Sequence, residues 1–455
     1  MEQFETRKGL MLIFILTNVF LLFIRDVFLI SLPKVIFLVV EVSFLFFANH
    51  SEMIEMLCFL FPLLCGLPAN YLMLAALILY FIKTPGINKS QVLAICVFSL
   101  LEVFASFGYR QFDYKELFGY IAHISVFFVI MFDENIHVKE CVQNYIWGTT
   151  LCLSIIVLFS FRHAPSNWVY LLSKGWFRIG QFRVEDGVHI SLNPNSVSMF
   201  SAVAVMLSIG LLYTSKKYKG IIIACICILV VAAVFSLSRA WFVVMAVFFA
   251  LLFWTRKKSV KSLVIMISIL VLAVGLGLII VRQVPEVFEG FIARVNESDV
   301  ADGEGNRRVY LVYEYIEAFF SYPDVYLFGA GVIKPNYRLN IPVGESSHTS
   351  LVQLLVDLGI LGFIMFIGLW GVSVKDRYLS GKKYNSSNQG IQIAAFAGCF
   401  LYSLTGQIIN PYYMLFPHLI MTLALSLREE NHEQENECQE GVSSLRKTTS
   451  KYIIH

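Results

Sequence analysis

Long apolar runs, broken by short polar stretches, dominate the chain. "GIIIACICILVVAAVF" (220–235) and "SLVIMISILVLAVGLGLIIV" (262–281) contain no charge and no two-residue alternation. A bilayer core takes roughly 20 apolar residues of helix. By that measure, spans are predicted at 9–24, 30–48, 53–66, 69–82, 90–107, 117–132, 141–161, 196–213, 219–235, 240–254, 262–281, 350–373, 389–408 and 412–427. The pattern defines an all-α polytopic membrane protein of about 12–14 transmembrane helices. The runs 53–66 and 69–82 are short, and "CGLPAN" between them reads as either a tight hairpin or a kink. One connection stands out by length: 282–348. Within it, "NRRVYLVYEYIEAFFSYPDV" sets Val309, Val312, Ile316, Phe319 and Phe320 at helical spacing, which predicts a helix lying along the membrane surface. Pro323 ends that helix, and "FGAGVIKPNY" supplies glycine turns. Residues 1–427 form the transmembrane domain; 428–455, acidic then basic and without apolar period, read as a disordered tail.

Composition agrees. The chain is 57% hydrophobic and 15% charged, against roughly 45–50% and 25% in soluble proteins. The net charge of +3 carries little weight, because the charges are sorted along the chain and nothing in them suggests nucleic acid. The loops "KKYK" (216–219), "RKKSVK" (256–261) and "KDRYLSGKK" (375–383) are strongly basic and separated by even numbers of spans. They are expected in the cytoplasm together with both termini, which puts 108–116, 162–195, 236–239, 282–348 and 409–411 outside. Arg7 and Lys8 precede an apolar run with no small-residue cleavage site, so the first run is expected to remain as a span. The cysteines lie mostly inside apolar runs, without C-x-x-C spacing, and read as small hydrophobes.

With this topology, unusual polar residues gather outside. Arg162, His163, Arg178, Arg183 and His189 share one loop; Arg239 tips a short hairpin; Arg307, Arg308 and His348 lie in the long connection. Arginines against the outer leaflet run counter to the usual bias. Their planar fork of donors suits phosphate, and a convergent set suits a diphosphate. Each also has a plainer reading as an anchor at the membrane interface. His348 sits in "GESSHTS", where a polar knot meets an apolar helix. Glu41, Glu102, His123, Asp357 and His418 are ionisable groups inside spans and functional candidates by position. A structural hydrogen bond is expected between Glu102 and His123, and a partner on a neighbouring helix for Asp357. No Asp-x-Asp motif or acidic–histidine cluster marks the outer loops, so a metal site or cofactor is not expected.

Four segments, in order, resemble the bacterial O-antigen ligase and polymerase superfamily. "HISLNPNSVSMFSAVAV" (189–205) is similar to its Asn-Pro-Asn segment leading into a span, and "FSLSRAWFVVMAVFFALL" (235–252) to its Ser-Arg followed by an apolar helix. "NRRVYLVYEYIEAFFSYPDVYLFGAGV" (306–332) is similar to its arginine, aromatic helix, proline and Gly-x-Gly sequence. "SSHTSLVQLLVDLGILGFIMFIGL" (346–369) is similar to its histidine segment with a following acidic residue and Gly-x-x-Gly. Thr349 stands where many members, ligases especially, have Asn.

The resemblance implies a C-type glycosyltransferase fold in the bacterial cytoplasmic (inner) membrane and a metal-independent reaction with an undecaprenyl-diphosphate-linked oligosaccharide. It implies that Arg239 and Arg307 or Arg308 hold the diphosphate, with Arg183 as a looser match, and that His348 engages the acceptor hydroxyl. The reading that follows is a polymerase of lipid-linked repeat units in O-antigen, capsule or exopolysaccharide synthesis, working beside a flippase and a chain-length regulator. The alternatives are a ligase passing finished glycan to a lipid or protein acceptor and, in another class, a secondary transporter. A transporter calls for broken helices in related halves and charges near the midplane.

Overall fold

The computed structural model describes residues 2–84, 86–107, 113–180, 190, 192–214, 218–255, 264, 267–268, 271, 275, 282–296, 307–333, 339, 349–384, 389–404 and 412–428. Every regular element among them is helical. The first half comprises α1 (Glu2–Leu22), α2 (Lys34–Phe47), α3 (His50–Leu60), α4 (Ala69–Lys83), α5 (Lys89–Phe107), α6 (Tyr114–Met131), α7 (Val138–Arg162) and α8 (Trp168–Ser173). The second half comprises α9 (Pro194–Thr214), α10 (Lys219–Phe235), α11 (Arg239–Thr255), α12 (Pro285–Asn296), α13 (Arg307–Ser321), α14 (Ser350–Tyr384), α15 (Gln389–Ser403) and α16 (Leu415–Ala424). Most of the span at 262–281 and the tail from 429 lie outside the described residues.

Local chemistry explains several boundaries. Asn49 and Glu52 form a reciprocal capping box at the start of α3. Asp113 accepts from the backbone N–H groups of Lys115 and Glu116 to begin α6. The run at 53–66 is α-helix only as far as Leu60; Phe61–Gly66 tightens into a 3₁₀ turn containing Pro62 before α4 begins. "CGLPAN" therefore joins two helices.

Among the described residues, six helices are long and apolar enough to cross a membrane: Gly9–Val27, Lys89–Ser106, Tyr114–Met131, Val138–Arg162, Pro194–Thr214 and Ser350–Lys383. Shorter apolar helices cover Ala69–Lys83, Lys219–Phe235, Arg239–Thr255 and Tyr412–Ala424. The share buried within the protein separates their roles. At 89%, α9 is the central helix, whereas the first span at 28% leaves most of its surface for lipid. Such a bundle is an all-α polytopic membrane protein.

Helix ends sort into two groups. On one face Arg25 donates to Gly66 O (2.8 Å), Arg162 to Val27 O, Arg178 to Ser236 O (2.8 Å) and Tyr402 to Asn195 O (3.1 Å). On the other, Lys83 donates to Phe46 O (2.8 Å), Arg377 to Asp133 O (2.5 Å), Thr255 to Gly390 O (3.1 Å) and Gln392 to Leu427 O (3.2 Å). These are the two sets of loops that the alternation of spans assigns to opposite sides.

α14 is broken. Gly359 adopts φ 68° and ψ −178°, dividing it into 350–358 and 360–384. A break inside a membrane is tolerated only where the freed backbone groups find new partners. Residues 326–331 of the long connection supply them. Ala330 N–H donates to Val356 O (2.8 Å) and Gly331 N–H to Asp357 O (3.0 Å), while Ile360 N–H donates to Tyr326 O (2.8 Å) and Leu361 N–H to Leu327 O (3.2 Å). The 325–333 segment is thus threaded into the gap.

The polar groups inside spans are paired differently from expectation. Glu102 does not turn to His123: its carboxylate accepts the backbone N–H groups of Val332 (2.8 Å) and Ile333 (3.1 Å), and His123 Nδ1 donates to Gly119 O (2.7 Å) in its own helix. Asp357 accepts from Gln353 Nε2 (2.7 Å) one turn earlier on its own helix, so its side-chain bond is local. For His123 and Asp357, a partner one turn away in the same helix outcompetes more distant ones. Glu41 is reached by Asn18 of α1 (3.4 Å), and His418 Nδ1 donates to Met414 O (3.1 Å).

Candidate functional site at one membrane face

The Ser238–Arg239 turn is the best-supported part of the site. It joins α10 to α11 through Leu237, which is buried at φ 49°, a conformation that non-glycine residues seldom hold without support. That support is visible: Ile179 N–H donates to Phe235 O (3.1 Å) and Arg178 Nε to Ser236 O (2.8 Å). Arg239 is the first residue of α11 and is half-buried. A guanidinium at a helix N-terminus adds a full charge to backbone N–H groups and a dipole that already favour an anion.

The Asn-Pro-Asn segment lies beside it. Asn193 Oδ1 accepts the Ser196 N–H (2.9 Å), and Pro194 opens α9, where its missing N–H costs nothing. Asn195 Oδ1 accepts from Arg178 Nη2 (3.3 Å), so one arginine ties the segment to the Ser238 turn. From α15, the Tyr402 hydroxyl donates to Asn195 O and meets the hydroxyls of Ser198 and Ser238, the latter at 3.4 Å. Next to it, Ser403 O accepts the Ser350 hydroxyl at the start of α14. The end of α15 therefore joins the residue before Arg239 to the helix that follows His348.

The described helices of the long connection pack beside this group. In α12, a Cβ at Gly290 would lie 2.0 Å from Leu172 O, so only glycine allows α12 to press on α8. Phe291 of α12 meets Phe242 of α11 with ring centroids 4.8 Å apart, one turn beyond Arg239. α13 buries Leu311, and packs Tyr315 and Phe319 with Val325, Ala330 and Val356. The buried stripe is thus displaced from the predicted one: Ile316 and Phe320 are exposed, because this helix has apolar residues on two faces.

Placement of the predicted site residues is uneven. Arg239 stands at the convergence just described. Arg307 and Arg308 form the first turn of α13, with side chains outside the described set. Arg183, His189 and His348 lie outside the described residues. Arg178, read only as one outer arginine among several, is the strap of the site. Tyr402 was missed; its signal was a lone hydroxyl-bearing aromatic near the end of an apolar run. Among the described residues, no three His, Cys, Asp or Glu side chains come together as metal ligands.

Apolar spans packed around α9 define a polytopic membrane protein in which, among the described residues, Arg178, Asn195, the Ser238–Arg239 turn and Tyr402 meet at one boundary. Residues 223–367 match the O-antigen ligase family model, a segment running from α10 through Arg239, Arg307, Arg308 and His348 into α14. That match supports placing the chain in the O-antigen ligase/polymerase superfamily, and with it a function of that general type. Enzymes of the family are glycosyltransferase-like and act on lipid-linked glycans. No curated protein matches the chain.

Proposed function

We propose that the protein polymerises undecaprenyl-diphosphate-linked oligosaccharide repeats at the outer leaflet of the bacterial cytoplasmic membrane, with both termini in the cytoplasm. Arg239, aided by the N-terminus of α11, and Arg307 or Arg308 bind the donor diphosphate; Arg183 is an outlying addition. His348 receives the acceptor proton. The acceptor hydroxyl oxygen bonds to the anomeric carbon as the bond from that carbon to the diphosphate oxygen breaks. The proton passes to the neutral imidazole, and the electron pair leaves with the lipid diphosphate, whose developing charge the guanidinium groups stabilise. No metal takes part in this step.

The observation that carries the reading is the joint at the end of α15, where Ser350 bonds Ser403 O and Tyr402 meets Ser238. His348 precedes Ser350 by two residues and Arg239 follows Ser238 by one, so the acceptor and donor candidates both neighbour this joint in sequence. Thr349, in place of the Asn common in ligases, favours polymerase.

The test uses purified protein and lipid-linked repeats, with wild type, His348→Ala and His348→Gln compared in the presence of a chelator. Loss of a general base costs roughly 10²–10⁴-fold, so His348→Ala should leave single repeats unextended. Wild-type activity should decline at acid pH as the imidazole protonates. Polymer of normal length from His348→Ala would remove that residue from the mechanism, and a strict metal requirement would overturn the metal-free step. Transfer of finished polymer to a different acceptor, with no joining of repeats, would assign ligase.

A further inference from the structure

Glu102 belongs to α5, far in sequence from the family-matched segment, and is 1% exposed. A buried carboxylate is costly unless its oxygens are met by donors. Here those donors come from the far end of the chain: Oε2 accepts from Val332 N–H at 2.8 Å and Oε1 from Ile333 N–H at 3.1 Å, across 230 residues of sequence. Gly329 and Gly331, at φ 79° and 86°, turn the backbone so that successive N–H groups face the carboxylate. At Gly331 a Cβ would lie 3.0 Å from Ala105 Cβ and 3.1 Å from Glu102 Oε1, so the loop lies directly on α5. The same few residues bond the opened end of α14 through Ala330 and Gly331. The segment is gripped from both sides, and from Ile333 the chain runs on to His348.

We infer that Glu102 is a positioning residue for glycosyl transfer: its carboxylate latches residues 329–333 into the break of α14 and so holds the short first half of that helix, which begins two residues after His348. This rests on the reading of His348 as the acceptor-side group. Glu102 touches no substrate in this scheme. It acts by holding backbone, and nothing in its own neighbourhood in sequence marks that role.

Glu102→Gln is nearly isosteric, but its amide offers one acceptor and turns a donor toward the second N–H. Hydrogen exchange over 328–333 should accelerate roughly tenfold or more, while exchange over 194–214 stays at the wild-type level. In the repeat-joining assay kcat should fall with KM for the lipid-linked donor near wild type, since Arg239 is untouched. Glu102→Asp, which keeps the charge, should restore part of both. If Glu102→Gln does not accumulate, Glu102→Asp against wild type carries the same comparison. Wild-type exchange at 328–333 overturns the latch, and fast exchange with wild-type kcat overturns the positioning role. Loss of activity in Glu102→Gln with full activity in His348→Ala would sink the acceptor assignment and leave the latch in place.

Discussion

Replacing Gly359 with Ala should be among the most damaging single changes in the protein. Its φ of 68° and ψ of −178° lie in a region that costs a residue with a side chain about 1–3 kcal/mol. The added Cβ would lie 2.4 Å from Gly329 N and 2.5 Å from Leu327 O, both of them backbone atoms with no rotamer to give way. The threaded segment must then withdraw, surrendering its four hydrogen bonds with Val356, Asp357, Ile360 and Leu361. At a net ~0.5–1.5 kcal/mol each, the total cost is on the order of 3–9 kcal/mol. The buried thiols of Cys58, Cys141, Cys152 and Cys399 provide the readout. A thiol-reactive fluorophore followed during heating in detergent should show Gly359→Ala melting several degrees below wild type. Gly368→Ala, on the same helix with nothing within 4 Å of the new Cβ, should be neutral or slightly stabilising. Coincident melting of Gly359→Ala and wild type would refute the broken helix and the seam built on it.

Arg239→Lys keeps the charge and loses the bidentate fork, so repeat joining should be impaired although the protein inserts normally; unchanged turnover would make Arg239 an interface anchor. Tyr402→Phe removes the hydroxyl shared by Asn195 O and the buried Ser198 and Ser238. A loss of roughly 1–3 kcal/mol in unfolding free energy is expected, and a value near zero would show the joint at α15 to be incidental. For topology, a membrane-impermeant thiol reagent applied to intact cells should label Gly303→Cys and spare Ser380→Cys; the reverse pattern inverts the orientation and the site with it.

The spans were legible because apolar length is what a bilayer selects: 141–161 and 196–213 became Val138–Arg162 and Pro194–Thr214. The position of the Ser238–Arg239 turn was legible too, since a short polar break between two apolar runs marks where the chain reverses. Periodicity failed on α13, where Phe320 at 63% exposure and Phe319 at 2% are neighbours of like character. An apolar residue can face protein or lipid, and spacing alone does not distinguish them. The partner of Glu102 was illegible for another reason. Donors on a loop 230 residues away have no signature in α5, and Gly359 announces a glycine without announcing its φ. Arg178 was noticed for its charge, but that it straps Ser236 to Asn195 depends on a fold that local sequence does not encode.

The seam between 325–333 and the two halves of α14 means that this helix is completed by residues from outside it. Val356 O and Asp357 O on one side of Gly359, and the N–H groups of Ile360 and Leu361 on the other, find their partners on a segment that precedes the helix in the chain. In a bilayer, backbone groups left open at a break have no water to turn to. Settling of this span and docking of 325–333 are therefore one event: neither reaches its final hydrogen bonding before the other.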